Sequence, residues 1–141
     1  MVTQSEDIDL LALLSNKYFK LRKINEQMWS CSYSLSITNS EMYIISLIYG
    51  KHPSISEIAQ QLNISRQATH KGIKSLSSKG LVLISPAENN NRDKCLKLTS
   101  AGEKYFLENK RIRKSIERDV VEKLGFENVE ALKDLLKSEW I

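Results

Sequence analysis

The chain has 141 residues, of which 41% are hydrophobic, and this suffices for one domain whose core needs neither disulfides nor a structural metal. Its two cysteines form no C-x-x-C pair and only two histidines accompany them, so zinc-binding motifs are excluded and a reducing cytoplasm is the expected compartment. The sequence has no secretory signal core and no run of about 18 apolar residues, so we expect neither export nor a membrane partner.

Positive charge is concentrated in the middle of the chain, although the formal net charge is only +4. Residues 51–98 contain eight Lys or Arg against three Asp or Glu, whereas the rest of the chain contains thirteen against fourteen. A segment with such an excess is typical of a surface that binds a polyanion. Chance clustering is the alternative, and it is less favoured because the same segment contains the motif described below.

The first third of the chain predicts two helices. From Ile8 to about Trp29 the apolar residues follow a three-four spacing, which indicates a long amphipathic helix with more apolar surface than one neighbour would cover. A serine-rich connection follows. Thr38 and Glu41 then form a capping box for a helix from Asn39 to Tyr49, which is apolar almost all round and is therefore expected to lie buried.

The stretch from Ser54 to Leu76 reads as two short helices joined by a tight turn. Ser54 and Glu57 form another capping box, so a helix begins at residue 54 or 55. Asn63 tolerates the turn, because asparagine enters left-handed backbone conformations fairly readily. Ser65 is well suited to cap the second helix. This pattern predicts a helix-turn-helix.

The second helix of this motif has two chemically different faces. Its inward face is predicted to consist of Thr69, Gly72 or Ile73, and Leu76. Its outward face carries Arg66, Gln67, His70, Lys71 and Lys74. Arg and Lys donate to guanine edges or phosphates, Gln pairs with adenine, and a helix fits the major groove, so the outward face is typical of DNA recognition. The alternative is a cationic face that is merely solvated.

A wing is predicted after this helix. Lys79 and Gly80 end the helix, with the glycine free to take the left-handed C-terminal position. Leu81–Ser85 and Lys94–Leu98 are short strand patterns, separated by the polar loop P-A-E-N-N-N-R-D. Arg92 in this loop is placed to reach a minor groove or the DNA backbone beside the recognition helix.

Two more helices are predicted at the C-terminal end. Thr99 or Ser100 caps a long, heavily charged helix that is broken at Gly125. A last helix extends to about Ser138. Trp140 and Ile141 would leave apolar bulk exposed at the end of the chain, so a partner subunit is expected to cover them.

The order of these motifs resembles the MarR family of winged-helix transcriptional regulators over essentially the whole chain. The resemblance rests on the helix-turn-helix, on S-S-K-G-L-V after it, and on a wing that ends in R-D-K-C-L-K-L-T-S-A-G-E. Its most specific part is L-T-x-x-G, here Leu98, Thr99 and Gly102. Two positions depart from the family pattern: Asn90 stands where an Asp commonly braces the wing arginine, and Gly72 stands where an apolar residue is usual.

The resemblance implies a mainly α (α+β) fold, a winged helix-turn-helix with a two-stranded β wing in a single 141-residue domain. Residues 38–99 would bind double-stranded DNA, and residues 1–37 and 100–141 would form the dimerisation helices of a homodimer. Contacts with bases or the groove floor are predicted for Arg66, Gln67, His70 and Lys71. Contacts nearer phosphates are predicted for Ser65, Thr69 and Lys74. Wing contacts are predicted for Arg92, helped by Asn91 and Lys94.

The same resemblance implies that a signal releases the DNA. Members of the family commonly lose DNA affinity when a small aromatic or phenolic ligand binds, or when a cysteine is oxidised. The residues predicted to line such a ligand pocket are Tyr18, Trp29, Tyr33, Met42 and Tyr43, although aromatic residues on apolar faces are more often plain core. Cys31 is the better redox candidate, while oxidation of Cys95 in a wing strand would disturb DNA contacts directly. Ligand control is preferred over oxidation.

The sequence also bears on two other classes of function. The sequence lacks a G-x-S-x-G elbow, a glycine-rich phosphate loop and a paired metal motif, so neither an enzyme nor a cofactor is expected. A winged-helix module that binds another protein is the serious alternative, since a fold does not decide its function. The cationic residues Arg66, Lys71, Lys74 and Arg92 would be dispensable in such a module and essential in a DNA reader.

Overall fold

The computed structural model describes residues 7–62, 64–87 and 90–141, and at residues 87 and 90–93 it describes the backbone only. The predicted turn residue Asn63 lies outside the described residues. The elements in chain order are α1 (Leu10–Ser32), α2 (Asn39–Ile48), α3 (Ile55–Leu62), α4 (Arg66–Ser78), β1 (Val82–Ala87), β2 (Asn90–Leu98), α5 (Ser100–Leu124) and α6 (Phe126–Lys137). The strands form one antiparallel two-stranded sheet. The predicted mainly helical winged fold is therefore confirmed.

The chain divides into two compact units. We call Leu35–Asn109 the winged unit, and Met1–Ser34 together with Lys110–Ile141 the helical unit. The winged unit contains α2, α3, α4, the sheet and the start of α5. The helical unit contains α1, the rest of α5 and α6.

The core of the winged unit is aliphatic. Ile45 and Ile48 of α2, Ile58 of α3 and Leu76 of α4 are fully buried, as is Leu96 of β2. They lie where the helical and alternating apolar spacings of the sequence predict an inward face. Tyr43 is an exception, because it is half exposed although α2 was predicted to be buried almost all round. The three helices and the sheet thus share one hydrophobic core.

A Schellman motif ends α4. Gly80 has a positive φ of 76°, its N–H donates to the Ser77 carbonyl at 3.0 Å, and the Leu81 N–H donates to the Leu76 carbonyl at 3.0 Å. This confirms the left-handed position predicted for Gly80. The motif turns the chain so that Leu81 is fully buried just before β1 begins.

The strands of the wing are longer than predicted. Lys94 pairs with Pro86, and after a register shift Asn90 pairs with Ala87, so much of the predicted polar loop belongs to the ladder. Arg92 accordingly lies in β2 and not in a loop, which corrects the prediction. The loop prediction rested on the absence of apolar side chains, but strands pair through their backbone groups and do not need them.

A second contact of β2 was also missed from the sequence. The Leu96 N–H donates to the Pro53 carbonyl at 2.9 Å, and Ser54 forms an isolated antiparallel bridge with Cys95. The segment just before α3 therefore pairs with β2. It also begins α3, since the Ser54 hydroxyl accepts from the Glu57 N–H at 3.1 Å.

The L-T-x-x-G motif joins the end of the wing to the start of α5. The Thr99 N–H donates to the Leu81 carbonyl at 3.0 Å, and the Thr99 hydroxyl donates to the Gly80 carbonyl at 2.7 Å. The same hydroxyl accepts from the Gly102 N–H at 3.0 Å. A Cβ on Gly102 would lie only 2.2 Å from the Leu81 carbonyl oxygen. The geometry at this joint therefore requires a hydroxyl side chain at residue 99 and a glycine at residue 102.

The helical unit leaves much apolar surface uncovered. Asp9 caps α1, because its carboxylate accepts a hydrogen bond from the Ala12 N–H at 2.8 Å. The helix therefore begins at Leu10, two residues after the predicted start at Ile8. The large apolar residues that stay exposed include Leu10, Leu11, Leu13, Tyr18, Phe19, Phe126, Leu132, Leu135, Leu136 and Trp140. Gly125, with φ of 92°, separates α5 from α6 as predicted. Within the described ranges, no helix is both long and apolar enough to cross a membrane.

Candidate nucleic-acid interface

The second helix of the motif, α4, presents a cationic face to solvent. Ser65 caps it, with the hydroxyl accepting from the Ala68 N–H at 3.1 Å. The residues of this helix that are exposed and polar are Arg66, Gln67, His70, Lys71, Lys74 and Ser78. The helix contains no Asp or Glu, so nothing within it offsets the three Lys and Arg residues on this face. The free N–H groups at its start add further positive potential.

The opposite face of α4 is buried, and it consists of the residues that the sequence predicted to point inward. Ile73 and Leu76 are at most 1% exposed, and Gly72 is partly exposed. Thr69 is fully buried as well, and its hydroxyl donates to the Ser65 carbonyl at 3.0 Å. The prediction that Thr69 contacts phosphate is therefore wrong. Thr69 shares the inward face of the helix with Ile73 and Leu76, so its side chain cannot reach a ligand on the outward side.

The wing contributes two cations with described side chains, one in the middle of β2 and one near its end. Lys94 is exposed and paired across the sheet with Pro86. Lys97 is exposed too, opposite Leu83, and the sequence did not single it out as a contact residue. For Asn91 and Arg92 the backbone lies in β2, but their side chains lie outside the described part of the chain. Their contacts with DNA stay predictions.

One buried carboxylate connects α4 to α2. Glu41 is 5% exposed and receives a hydrogen bond from the Thr38 N–H at 3.0 Å, which completes the predicted capping box. Its Oε2 accepts from the Ser75 hydroxyl at 2.8 Å, and the Lys79 Nζ donates to Oε1 at 2.9 Å and to Oε2 at 2.8 Å. Sequence reasoning missed this pairing, because Lys79 lies 38 residues from Glu41 along the chain.

Burial raises the pKa of the Glu41 carboxyl, but hydrogen bonds from Lys79, Thr38 and Ser75 together outweigh burial, so the pKa lies below its usual value of 4.5. The stabilisation by this ionised group is therefore fully present above about pH 4.5 and is lost as the pH falls through the folded-state pKa.

Glu41→Gln should lower the free energy of unfolding at pH 7 by about 2 kcal/mol, since hydrogen bonds to a charged group are lost. The difference from the wild type should narrow as the pH falls below 4.5 and through the folded-state pKa of Glu41, where the wild-type carboxyl itself becomes protonated. Urea denaturation at pH 7 and at a series of acidic pH values measures this. Glu57→Gln is the matched control, because Glu57 has the same place in the first turn of α3 but is exposed. An equal effect of the two substitutions would contradict the prediction.

The residues predicted to sense a ligand or an oxidant are found in both units. In the helical unit Trp29 is buried and stacks on Tyr33 with ring centroids 4.6 Å apart, while Tyr18 is exposed. In the winged unit Met42 is buried and Tyr43 is half exposed. Cys31 is exposed, Cys95 is partly exposed, and both are free thiols. The ligand pocket and the redox role of Cys31 stay predictions.

The chain is similar to a family model and to solved structures of known proteins. A family model described as an HTH domain matches residues 41–88. A search of curated proteins found no match. Among solved structures, the chain is similar to a MarR mutant from E. coli complexed with operator DNA, at 23% identity and a TM-score of 0.79, over 94% of each chain.

Two further solved structures resemble the chain to a similar extent. FabT from Streptococcus pneumoniae in complex with DNA is 20% identical, with a TM-score of 0.78 over 88% of this chain and 87% of that one. The transcriptional repressor CouR bound to a 23-mer DNA duplex is 22% identical, with a TM-score of 0.80 over 91% and 89%. Because each likeness extends over most of both chains, this chain has the winged helix-turn-helix fold of the MarR-type regulators.

Proposed function

We propose that this protein is a transcription regulator of MarR type that binds double-stranded DNA as a homodimer at a palindromic operator. The observation that carries the proposal is the outward face of α4, where Arg66, Lys71 and Lys74 are exposed on the second helix of a helix-turn-helix. A helix with such donors fits the major groove and pairs with guanine edges and phosphates. The three similar structures named above each contain DNA, which supports the same ligand class for this fold.

The contacts divide by position on α4 and on the wing. Residues in the first two turns of α4 read bases, because the N-terminal part of a recognition helix enters the groove. These are Arg66, Gln67, His70 and Lys71. Ser65, Lys74 and Lys94 contact phosphates, and Asn91 and Arg92 contact the DNA beside the wing. Phosphate contacts supply affinity without sequence information, whereas base contacts choose the site.

The homodimer is supported by the uncovered apolar surface of the helical unit. Leu11 of α1 is 76% exposed and Leu135 of α6 is 62% exposed, and they belong to sets of large apolar side chains on the same helices. A surface of this kind is a liability on a monomer and is typical of a subunit interface. A two-fold dimer would present two copies of α4 to successive major grooves.

Selection of bound sequences from random duplex DNA, at a stated salt concentration, tests the proposal. The selected duplexes should contain an inverted repeat with half-sites about one helical turn apart. Analytical ultracentrifugation of the complex should show two protein chains per duplex. Recovery of no common sequence, or a strictly monomeric protein, would overturn the proposal and favour a module that docks on another protein.

The affinity for the selected duplex should fall steeply with salt. If a dimer engages about ten phosphates, the slope of log affinity against log salt concentration is on the order of −9, because each neutralised phosphate releases counterions. Fluorescence anisotropy titrations across a salt series measure the slope. A nearly salt-independent affinity would contradict a binding mode based on phosphate contacts.

Release of DNA by a small aromatic effector or by oxidation is the regulatory part of the proposal. The stacked pair Trp29 and Tyr33 and the exposed thiol of Cys31 support it. A panel of phenols and benzoates, and separately hydrogen peroxide, should be titrated into the protein–duplex complex. Cys31→Ser should abolish only the response to peroxide. If neither treatment releases the duplex, this regulatory part of the proposal is wrong.

A further inference from the structure

The buried Glu41 carboxylate accepts four hydrogen bonds from three donor groups. The donors are the backbone at the start of α2, a hydroxyl on α4 and the ammonium group at the C-terminal end of α4. The Lys79 Nζ also donates to the Ser36 carbonyl at 2.9 Å, in the segment that leads into α2. In the described residues no buried side-chain nitrogen or oxygen lacks a partner, so this cluster is complete.

The cluster holds α4 at the end opposite to its base-reading residues. Ser75 and Lys79 are one helical turn apart and both bind the Glu41 carboxylate. Arg66 begins the helix, which places it roughly 20 Å from Lys79 at about 1.5 Å of rise per residue. A small tilt about the C-terminal end of α4 therefore becomes a larger displacement at the residues proposed to contact bases, and a rotation about the helix axis turns those residues by the same angle.

The buried face of α4 sets which side of the helix points inward, and the cluster adds directional contacts to it. The buried side chains Thr69, Ile73 and Leu76 pack against the core, and the hydrophobic effect that drives their burial is non-directional. Hydrogen bonds to a charged group are shorter, stronger and directional. Ser75 and Lys79 bind the same carboxylate from successive turns, so they fix both the height and the rotation of the helix.

We propose that Glu41, together with Ser75 and Lys79, is a positioning cluster that sets the orientation of α4 and thereby the sequence selectivity of DNA binding. This inference rests on the proposed function, because selectivity is defined only for a DNA reader. None of the three residues lies on the outward face that carries Arg66 and Lys71. The cluster acts on the choice of bases through the helix, and not by contact with the DNA.

For Glu41→Gln, the change in charge alone and the loss of helix orientation should change the affinity for the selected duplex in opposite directions, which makes the proposal testable. Glu41→Gln removes a negative charge from a protein that binds a polyanion, so electrostatics predicts tighter binding to every duplex. Loss of helix orientation predicts weaker binding to the selected duplex and no comparable loss on a scrambled duplex, because phosphate contacts carry no sequence information.

The experiment compares the affinity for a duplex selected by the wild-type protein with that for a scrambled duplex of the same length. For Glu41→Gln the ratio of the two affinities should fall roughly tenfold, comparable with the loss of a correct base contact. Glu57→Gln, with the same charge change at an exposed first-turn position of α3, should leave the ratio unchanged. Ser75→Ala removes one hydrogen bond and keeps the ion pair, so it should lower the ratio by a smaller factor.

Hydrogen exchange of the free protein provides a second readout that needs no DNA. The amides of α4 should exchange faster in Glu41→Gln than in Glu57→Gln, because α4 is less restrained. An unchanged affinity ratio in a folded Glu41→Gln protein would overturn the inference. If that variant is unfolded at the assay temperature, an unchanged ratio in Ser75→Ala would overturn it. Failure of the wild-type protein to select any sequence would instead overturn the proposed function.

Discussion

Replacing both Arg66 and Lys71 by alanine should lower the affinity for the selected duplex by about a hundredfold or more, since each base or phosphate contact contributes roughly 1–3 kcal/mol. Both side chains are exposed on the outward face of α4, and neither lies in the core. Their removal should leave the fold intact. Anisotropy titrations at fixed salt measure the affinity, and thermal unfolding verifies the fold.

The matched control removes an arginine and a lysine from the helical unit. Arg113 and Lys114 are exposed neighbours on α5, so the double alanine variant there has the same net charge as the test variant. It should retain most of the affinity. Equal losses in the two variants would mean that only net charge matters, and no loss in either would favour a protein-docking module over a DNA reader.

Gly102→Ala should lower the free energy of unfolding by about 2 kcal/mol or more, as overpacking does when the neighbour cannot move away. The new Cβ would lie 2.2 Å from the Leu81 carbonyl oxygen and 3.2 Å from the carbonyl carbon. Leu81 is held there by the Schellman motif of α4 and by its hydrogen bond from the Thr99 N–H. The clash thus displaces either the start of α5 or the base of the wing. Urea denaturation of wild type and variant measures the change.

Gly72→Ala is the comparison that separates this clash from the general effect of glycine in helices. A Cβ at Gly72 would meet the Ile44 Cδ1 at 2.9 Å, which is the far end of a flexible side chain. Alanine also gains about 1 kcal/mol of helix propensity over glycine. We therefore expect a change in stability close to zero at residue 72. A loss as large as that at residue 102 would show that the cause is not the backbone carbonyl.

Features with a local signal were the ones that the sequence predicted well. The Ser65 cap and the Gly80 turn each depend on residues within a single turn of α4, and both are present. The same holds for the capping box of Thr38 and Glu41. The inward and outward faces of α4 follow from its period of 3.6 residues. Thr69 was predicted both to point inward and to contact phosphate, and its burial shows that it belongs to the core.

Features that depend on distant pairing were missed. Nothing local in Pro53 or Leu96 indicates that the two backbones form a hydrogen bond. Lys79 was predicted only to end its helix, and the structure pairs its ammonium group with Glu41. Such contacts arise from the tertiary arrangement, and the sequence around one partner does not indicate the other. The extension of β1 and β2 into a polar stretch is a local pairing, and it was missed because strand pairing is made by backbone groups.

The pairing of β2 with the Pro53 segment has a consequence for solubility. Exposed strand edges recruit further strands, from the same protein or from others. Around Cys95 and Leu96 both edges of β2 are occupied, one by β1 and the other by the chain that precedes α3. The outer edge belongs to β1, where Pro86 has no N–H to offer. Near Cys95 and Leu96 the small sheet can therefore grow only along β1, and the proline removes one hydrogen-bond donor from that edge.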